Sequence, residues 1–217
     1  MPHRSTRTRL AHPRCHWAVL IALHIFLAGP LAADSPSEIV QDGLTALAAR
    51  DADTAIALLS SNSRDLLREL IVASRSYTAH PQGSDLSSLR LSLQFFVRVL
   101  AGAIAPADLS VMSPGDLASW ALARPEFVAS ELARMQVAGV RERDQRASVS
   151  LQYPSQVSGF RVPIQLSLVL EEHSWKLELE SLLRTVDIAI ALIARSQDID
   201  VQEMLGRLVS ASLASLD

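Results

Sequence analysis

The stretch that decides the fold reads Ala147-Ser148-Val149-Ser150-Leu151-Gln152-Tyr153, then Phe160-Arg161-Val162-Pro163-Ile164-Gln165-Leu166-Ser167-Leu168-Val169-Leu170, then Trp175-Lys176-Leu177-Glu178-Leu179-Glu180. Apolar residues occupy alternate positions in all three runs, the two-residue period of a half-buried strand. The joins are short: a loop over 154–159 and a turn at Glu172-His173-Ser174. Three successive strands, each with one apolar and one mostly polar face, predict an antiparallel meander packed on one side. Residues 137–142 add a candidate fourth strand at its edge.

Upstream the period lengthens to that of a helix. Ser35-Pro36-Ser37-Glu38 sets a cap, a first-turn proline and a capping-box acid ahead of Val40, Leu44, Leu47 and Ala48 on one face. Asp51-Ala52-Asp53 turns the chain into a second helix carrying Ala55, Ile56, Leu58 and Leu59, and a third is expected over 63–74. After the His80-Pro81-Gln82-Gly83 loop, Ser84 is placed to cap the longest helix, with Leu86, Leu89, Leu93, Phe96, Val97, Leu100 and Ile104 in helical register until Pro106. Ser113-Pro114-Gly115-Asp116 opens another helix through Trp120, and Pro125 one reaching about Met135.

Downstream, residues 182–195 are apolar nearly all round, which predicts a buried helix. Asp200 and Glu203 start a final one, striped by Val201, Met204, Leu205, Leu208 and Val209. The expected class is therefore α+β: N-terminal helices packed on a curved antiparallel sheet, a three- to four-stranded meander, with two additional C-terminal helices.

The first 33 residues read differently. Arg4, Arg7, Arg9 and Arg14 precede an apolar run over 17–27, and Leu31-Ala32-Ala33 offers small residues before Asp34. Charged, apolar and small-residue regions in that order define a secretory signal, cut near Ala33. The competing reading, an uncleaved anchor, sits at the lower limit of bilayer-spanning length and contains His24 and Pro30. The expectation is a signal over 1–33 and one α+β domain over 34–217, with no membrane span after cleavage. Cys15 lies in the leader, so the processed chain has no thiol for a disulfide or metal.

Removal of the leader arginines leaves 16 basic and 23 acidic residues, a net charge of −7. That balance excludes a nucleic-acid binder, which needs a basic face for phosphates, and argues weakly against attraction to anionic lipid surfaces. Lys176 is the only lysine, and arginine and alanine are abundant. Such usage fits a GC-rich bacterium and places the exported chain in the periplasm or outside the cell.

The turn Leu47-Ala48-Ala49-Arg50-Asp51-Ala52-Asp53 before an alanine-rich helix, and the late hairpin Leu168-Val169-Leu170-Glu171-Glu172-His173-Ser174-Trp175-Lys176-Leu177, carry a resemblance. The chain resembles the nuclear transport factor 2-like superfamily, with its ketosteroid isomerase-like and polyketide cyclase-like members. The likeness spans about residues 35–181. It implies a cavity between sheet and helices that serves catalysis, ligand binding or assembly. Two departures stand out: the helical section over 84–135 is long, and about 36 residues follow the last expected strand. Helices appended after a similar sheet also look like periplasmic phospholipid carriers, in architecture and compartment only.

A catalytic member would need a carboxylate on the inward strand phase. Glu178 and Glu180 alternate outward, and the only polar group on the apolar phase is Tyr153. No catalytic residue is assigned. Tyr153, Phe95, Phe96 and Trp120 are the candidate ligand-binding residues, the aromatic ones being equally compatible with plain core packing. His173 beside Glu171 and Glu172 reads as a solvated turn, and Asp51/Asp53 and Asp198/Asp200 read as helix caps. After the leader the only histidines are His80 and His173, far apart and with no His-x-x-x-His spacing, so neither a metal nor a cofactor is expected.

The leading expectation is a non-enzymatic binding module for an apolar small molecule or lipid, or for a periplasmic protein partner. A cavity enzyme of the isomerase or cyclase type is the alternative, and a structural component of a periplasmic assembly the third reading.

Overall fold

Helix starts follow from local side-chain chemistry. Glu38 N–H donates to Ser35 Oγ (3.4 Å) while Ser35 N–H donates to Glu38 Oε2 (2.7 Å), which closes a capping box at the head of α1 (Pro36–Ala49). Asp51 caps α2 (Ala52–Ala57) through Thr54 N–H, and Ser60 caps α3 (Ser61–Ala79) through Ser63 N–H. The computed structural model describes residues 35–81, 83–124, 135–152 and 164–216. The expected helix from Pro125 to about Met135, the residue Tyr153 and the loop that follows it lie almost wholly outside them.

Among the described residues three more helices precede the sheet: α4 (Leu91–Ala103), α5 (Pro106–Val111) and α6 (Pro114–Leu122), the last with a Ser113/Asp116 capping box. Four strands follow, β1 (Gln136–Arg143), β2 (Arg146–Gln152), β3 (Ile164–Glu171) and β4 (Ser174–Glu178). They pair antiparallel in sequence order, so the chain forms the expected meander, and the edge strand suggested at 137–142 is present. Then come α7 (Leu179–Ser196) and α8 (Val201–Ala214), capped by Asp200.

Register puts the apolar phase on one face. Val149 stands opposite Val140 and Leu166, and Leu168 opposite Ala147 and Leu177. Ala147, Val149, Leu151, Leu168 and Trp175 are buried there against Ile39, Val40 and Leu44 of α1. A second core joins α3 to α6 around Ile71, Val97 and Leu109, and a third joins α7 to α8 through Ile190, Ala194, Met204 and Leu205. The hairpin between β3 and β4 turns on Glu172 (φ 48°) and His173 (φ 70°), two positive values in succession as a two-residue type I′ loop requires.

The structure corrects several sequence expectations. The helix expected from Ser84 starts only at Leu91. Asp85 instead accepts from Ser87 N–H (2.8 Å) and Leu89 N–H closes a turn on Leu86 (2.9 Å), so the leucines at 86 and 89 reach the core from a turn. The helix then begins where a remote acid meets it: Asp187 of α7 accepts from Ser92 N–H (2.6 Å) and from Arg90 Nε (2.8 Å). Pro106 does not merely stop α4; it occupies the first turn of α5. Leu179 and Glu180 are helical rather than extended, because α7 follows β4 with no intervening loop. That helix is not buried all round: Ile188 and Leu192 are exposed, and only Ile190 and Ala194 are buried.

Glu171 is also not a solvated turn residue. It is half-buried, and its carboxylate accepts Ser61 N–H (3.1 Å) and Ser61 Oγ–H (2.8 Å) at the start of α3. The neighbouring segment seals β4: Ser60 N–H donates to Leu177 O (2.9 Å), Leu177 N–H donates to Leu58 O (2.8 Å), and Leu59 bridges Leu177 in parallel sense. Buried Ser63 completes the seam, donating its hydroxyl to Leu177 O (3.1 Å) and accepting from Leu179 N–H (2.8 Å).

Candidate functional site

The inward sheet face is not fully covered by α1. Gly43 lets that helix approach β4 so closely that a Cβ there would stand 3.3 Å from Leu177 Cδ1. Beyond this contact α1 and α2 line one side of an open space, and α6 and the first turn of α7 form the opposite wall. The space between is a cleft of about 360 Å³, lined by Leu44, Leu47 and Ile56 on one side, Leu151, Leu166 and Leu177 on the sheet, and Leu117, Ala121 and Leu182 opposite. A second lobe of about 260 Å³ adjoins it, between α3, α4, α6 and α7. Leu67, Leu117, Ala121, Leu179 and Leu182 line both, so these five side chains form the partition.

Chemically the two lobes are uniform. Every residue around the second is apolar or aromatic, and around the first the one ionisable group is Glu178. Hydrocarbon is the material such walls accept, since a buried polar group would find no hydrogen-bond partner.

Glu178 needs a separate account. Its alternation in β4 is outward as expected, and its Oε2 lies 3.5 Å from Arg146 Nη1, across the polar face of the sheet. Yet the residue borders the cleft and its side chain is only 13% exposed, because α7 begins beside it. It also borders a polar groove of about 370 Å³ that holds Asn62, Asp65, Glu69, Arg90 and Glu180. Within that groove Arg90 lies 4.0 Å from Glu180; outside its lining, Arg184 pairs with Glu180 (3.2 Å) and Arg68 with Asp65.

Of the four residues singled out in the sequence, Phe96 and Trp120 stand together in the second lobe. Arg124 stacks over the Trp120 ring, 3.9 Å from its centroid, and donates to the Trp120 carbonyl oxygen (3.0 Å). Phe95 is not part of the cleft. It meets Phe96 edge to face (centroids 5.2 Å apart) but packs among Ile190 and Leu205 between α4, α7 and α8. Tyr153 lies outside the described residues. Glu172 and His173 are exposed at the hairpin turn, and His80 is exposed after α3.

Sequence reasoning missed the leucines and alanines that make the walls. Leu67, Leu117 and Ala121 belong to no motif, and only the packing shows that they face open space. Among the described residues no three His, Cys, Asp or Glu side chains are grouped to hold a metal ion, and no helix is long and apolar enough to cross a membrane. No family model matches the chain, and no curated protein matches it.

Proposed function

We propose that this chain is an exported binding module that holds an apolar, lipid-like ligand in the two-lobed cleft. One observation carries the reading: two adjoining lobes of about 360 and 260 Å³ have walls of aliphatic and aromatic side chains throughout, apart from Glu178 at one border. Cavities of a few hundred Å³ are the size at which proteins enclose small ligands, and close-packed interiors do not otherwise leave apolar space of this extent. The leader over 1–33 supports an exported chain working in a bacterial periplasm or outside the cell. Helices laid over one face of an antiparallel sheet agree with a nuclear transport factor 2-like affiliation, which on this reading supplies the cavity and not a catalyst.

The test is native mass spectrometry of the chain expressed with its leader and purified from the periplasm without detergent, beside its Ala121→Trp variant. Ala121 lines both lobes, so an indole there occupies the space the ligand needs. Wild type carrying a lipid-sized mass that the variant lacks supports the proposal. Bare wild-type protein that also takes up no fatty acid sinks it.

An isomerase- or cyclase-type enzyme remains the second reading because Glu178 borders the cleft. Its carboxylate is engaged by Arg146, which makes it a structural ion pair before it is a base. Turnover of an apolar ketone, abolished in Glu178→Gln, would favour that reading.

A further inference from the structure

We infer, on the strength of the binding reading above, that the cleft takes a single unbranched hydrocarbon chain, threaded past Ala121 from the first lobe into the second. Ala121 then sets the chain length that is accepted.

The partition between the lobes is made of Leu67, Leu117, Ala121, Leu179 and Leu182. A leucine is long enough to show one side to each of two separate spaces. Alanine carries a single methyl, so the two spaces approach one another most closely at Ala121. Leu117 stands one helical turn before it on the same face of α6. With leucines around that methyl, the junction is a neck.

Shape then selects the ligand. The second lobe, about 260 Å³, is smaller than the roughly 300 Å³ at which ligand pockets begin. It therefore extends the first lobe of about 360 Å³ and does not serve a second molecule. A rigid fused-ring body cannot bend through a neck, whereas a polymethylene chain can, because each of its bonds rotates among staggered states. Polarity gives the direction. The second lobe is lined by apolar and aromatic side chains alone, where a polar terminus is costly to bury. The first lobe borders Glu178, which also faces the polar groove. The polar end of the ligand stays at that border, and the methyl end crosses the neck.

The test is calorimetric titration of the full chain with straight-chain 1-alkanols of increasing length, uncharged probes that differ only in methylenes, and with a sterol. Trp120 lines the second lobe, and in a Trp17→Phe/Trp175→Phe background it is the one indole left to report arrival of the chain there. In wild type, affinity should rise about fourfold per added methylene until the second lobe is filled. Trp120 emission should shift only with the longer alcohols. Ala121→Leu should bind the short alcohols as wild type does, level off at a shorter chain and leave Trp120 emission unmoved. Leu67→Ala, which widens the neck, should admit the sterol that wild type excludes. The same length dependence in wild type and Ala121→Leu would overturn the inference and leave the binding reading standing. So would a sterol bound by wild type as tightly as the longest alcohol, or Trp120 emission shifted equally by short and long chains. Absence of binding at every length would take both readings away.

Discussion

Asp187→Ala should unfold more easily than wild type by about 2–3 kcal/mol, a large effect for one half-buried acid. The figure follows from what the carboxylate does: Oδ1 accepts from Ser92 N–H (2.6 Å) and Oδ2 from Arg90 Nε (2.8 Å). Loss of a helix cap destabilises by about 1 kcal/mol. The charge-assisted bond to Arg90 adds about 1–2 kcal/mol, below the figure for full burial because the two side chains remain 28% and 20% exposed. For a domain of this size the sum lowers Tm by about 5–10 °C. Asp187→Asn keeps an acceptor for Ser92 and loses only the charge, so its deficit should be about 1–2 kcal/mol. Urea unfolding followed by circular dichroism measures both, and an Arg90→Gln background isolates the ion pair as a coupling energy of about 1 kcal/mol. Strict additivity of Asp187→Ala with Arg90→Gln, or an Asp187→Ala variant within about 0.5 kcal/mol of wild type, would show that α4 is not held by α7 in this way.

Two further outcomes are expected. Hydrogen bonds from Ser35, Thr54, Ser87 and Ser113 hold the carboxyls of Glu38, Asp51, Asp85 and Asp116 below their ordinary values. Their stabilisation is full above the usual carboxylate range and is lost as pH falls through the depressed folded values; a Tm series from pH 6 to about 2 should decline at the acid end, less steeply in Asp51→Asn. Gly102 lies so close to α8 that an added Cβ would stand 2.8 Å from Leu213 Cδ1. Gly102→Ala should therefore forfeit the gain of up to about 1 kcal/mol normal for an exposed helical glycine, and a Leu213→Ala background should restore it, as denaturation midpoints would show.

What the sequence made legible was local. The meander could be read because nothing interrupts the alternation of Val149, Leu151, Leu166 and Leu168, and all four stand on the inward face. Helix starts at Ser35, Asp51, Ser113 and Asp200 could be read because a cap and the N–H groups it serves lie within three residues. Asp187 and Glu171 do the same work for Ser92 and Ser61 across 95 and 110 residues, and no window of sequence contains both partners. Phe95 and Phe96 are neighbours in sequence, yet successive side chains on a helix point about 100° apart, so one meets the cleft and the other α7 and α8. Hydropathy marked α7 as apolar all round, but apolar composition does not distinguish a core face from an exposed one. The cleft was hidden for the same reason: its walls are core residues in every local respect.

The seam that ties Leu58, Leu59 and Ser60 to Leu177 also limits how the sheet can grow. With the backbone N–H and carbonyl of Leu177 engaged, β4 offers an incoming strand no continuous row of free groups. Among the described residues the other border, β1, has no strand beyond it, and it carries a register shift between Val137 and Gly139 with Arg141, Glu142 and Arg143 exposed. A sheet blocked on one side can add a neighbour only once. Two copies meeting along β1 would use up the border that the described residues leave open, so pairing through that edge would stop at two copies.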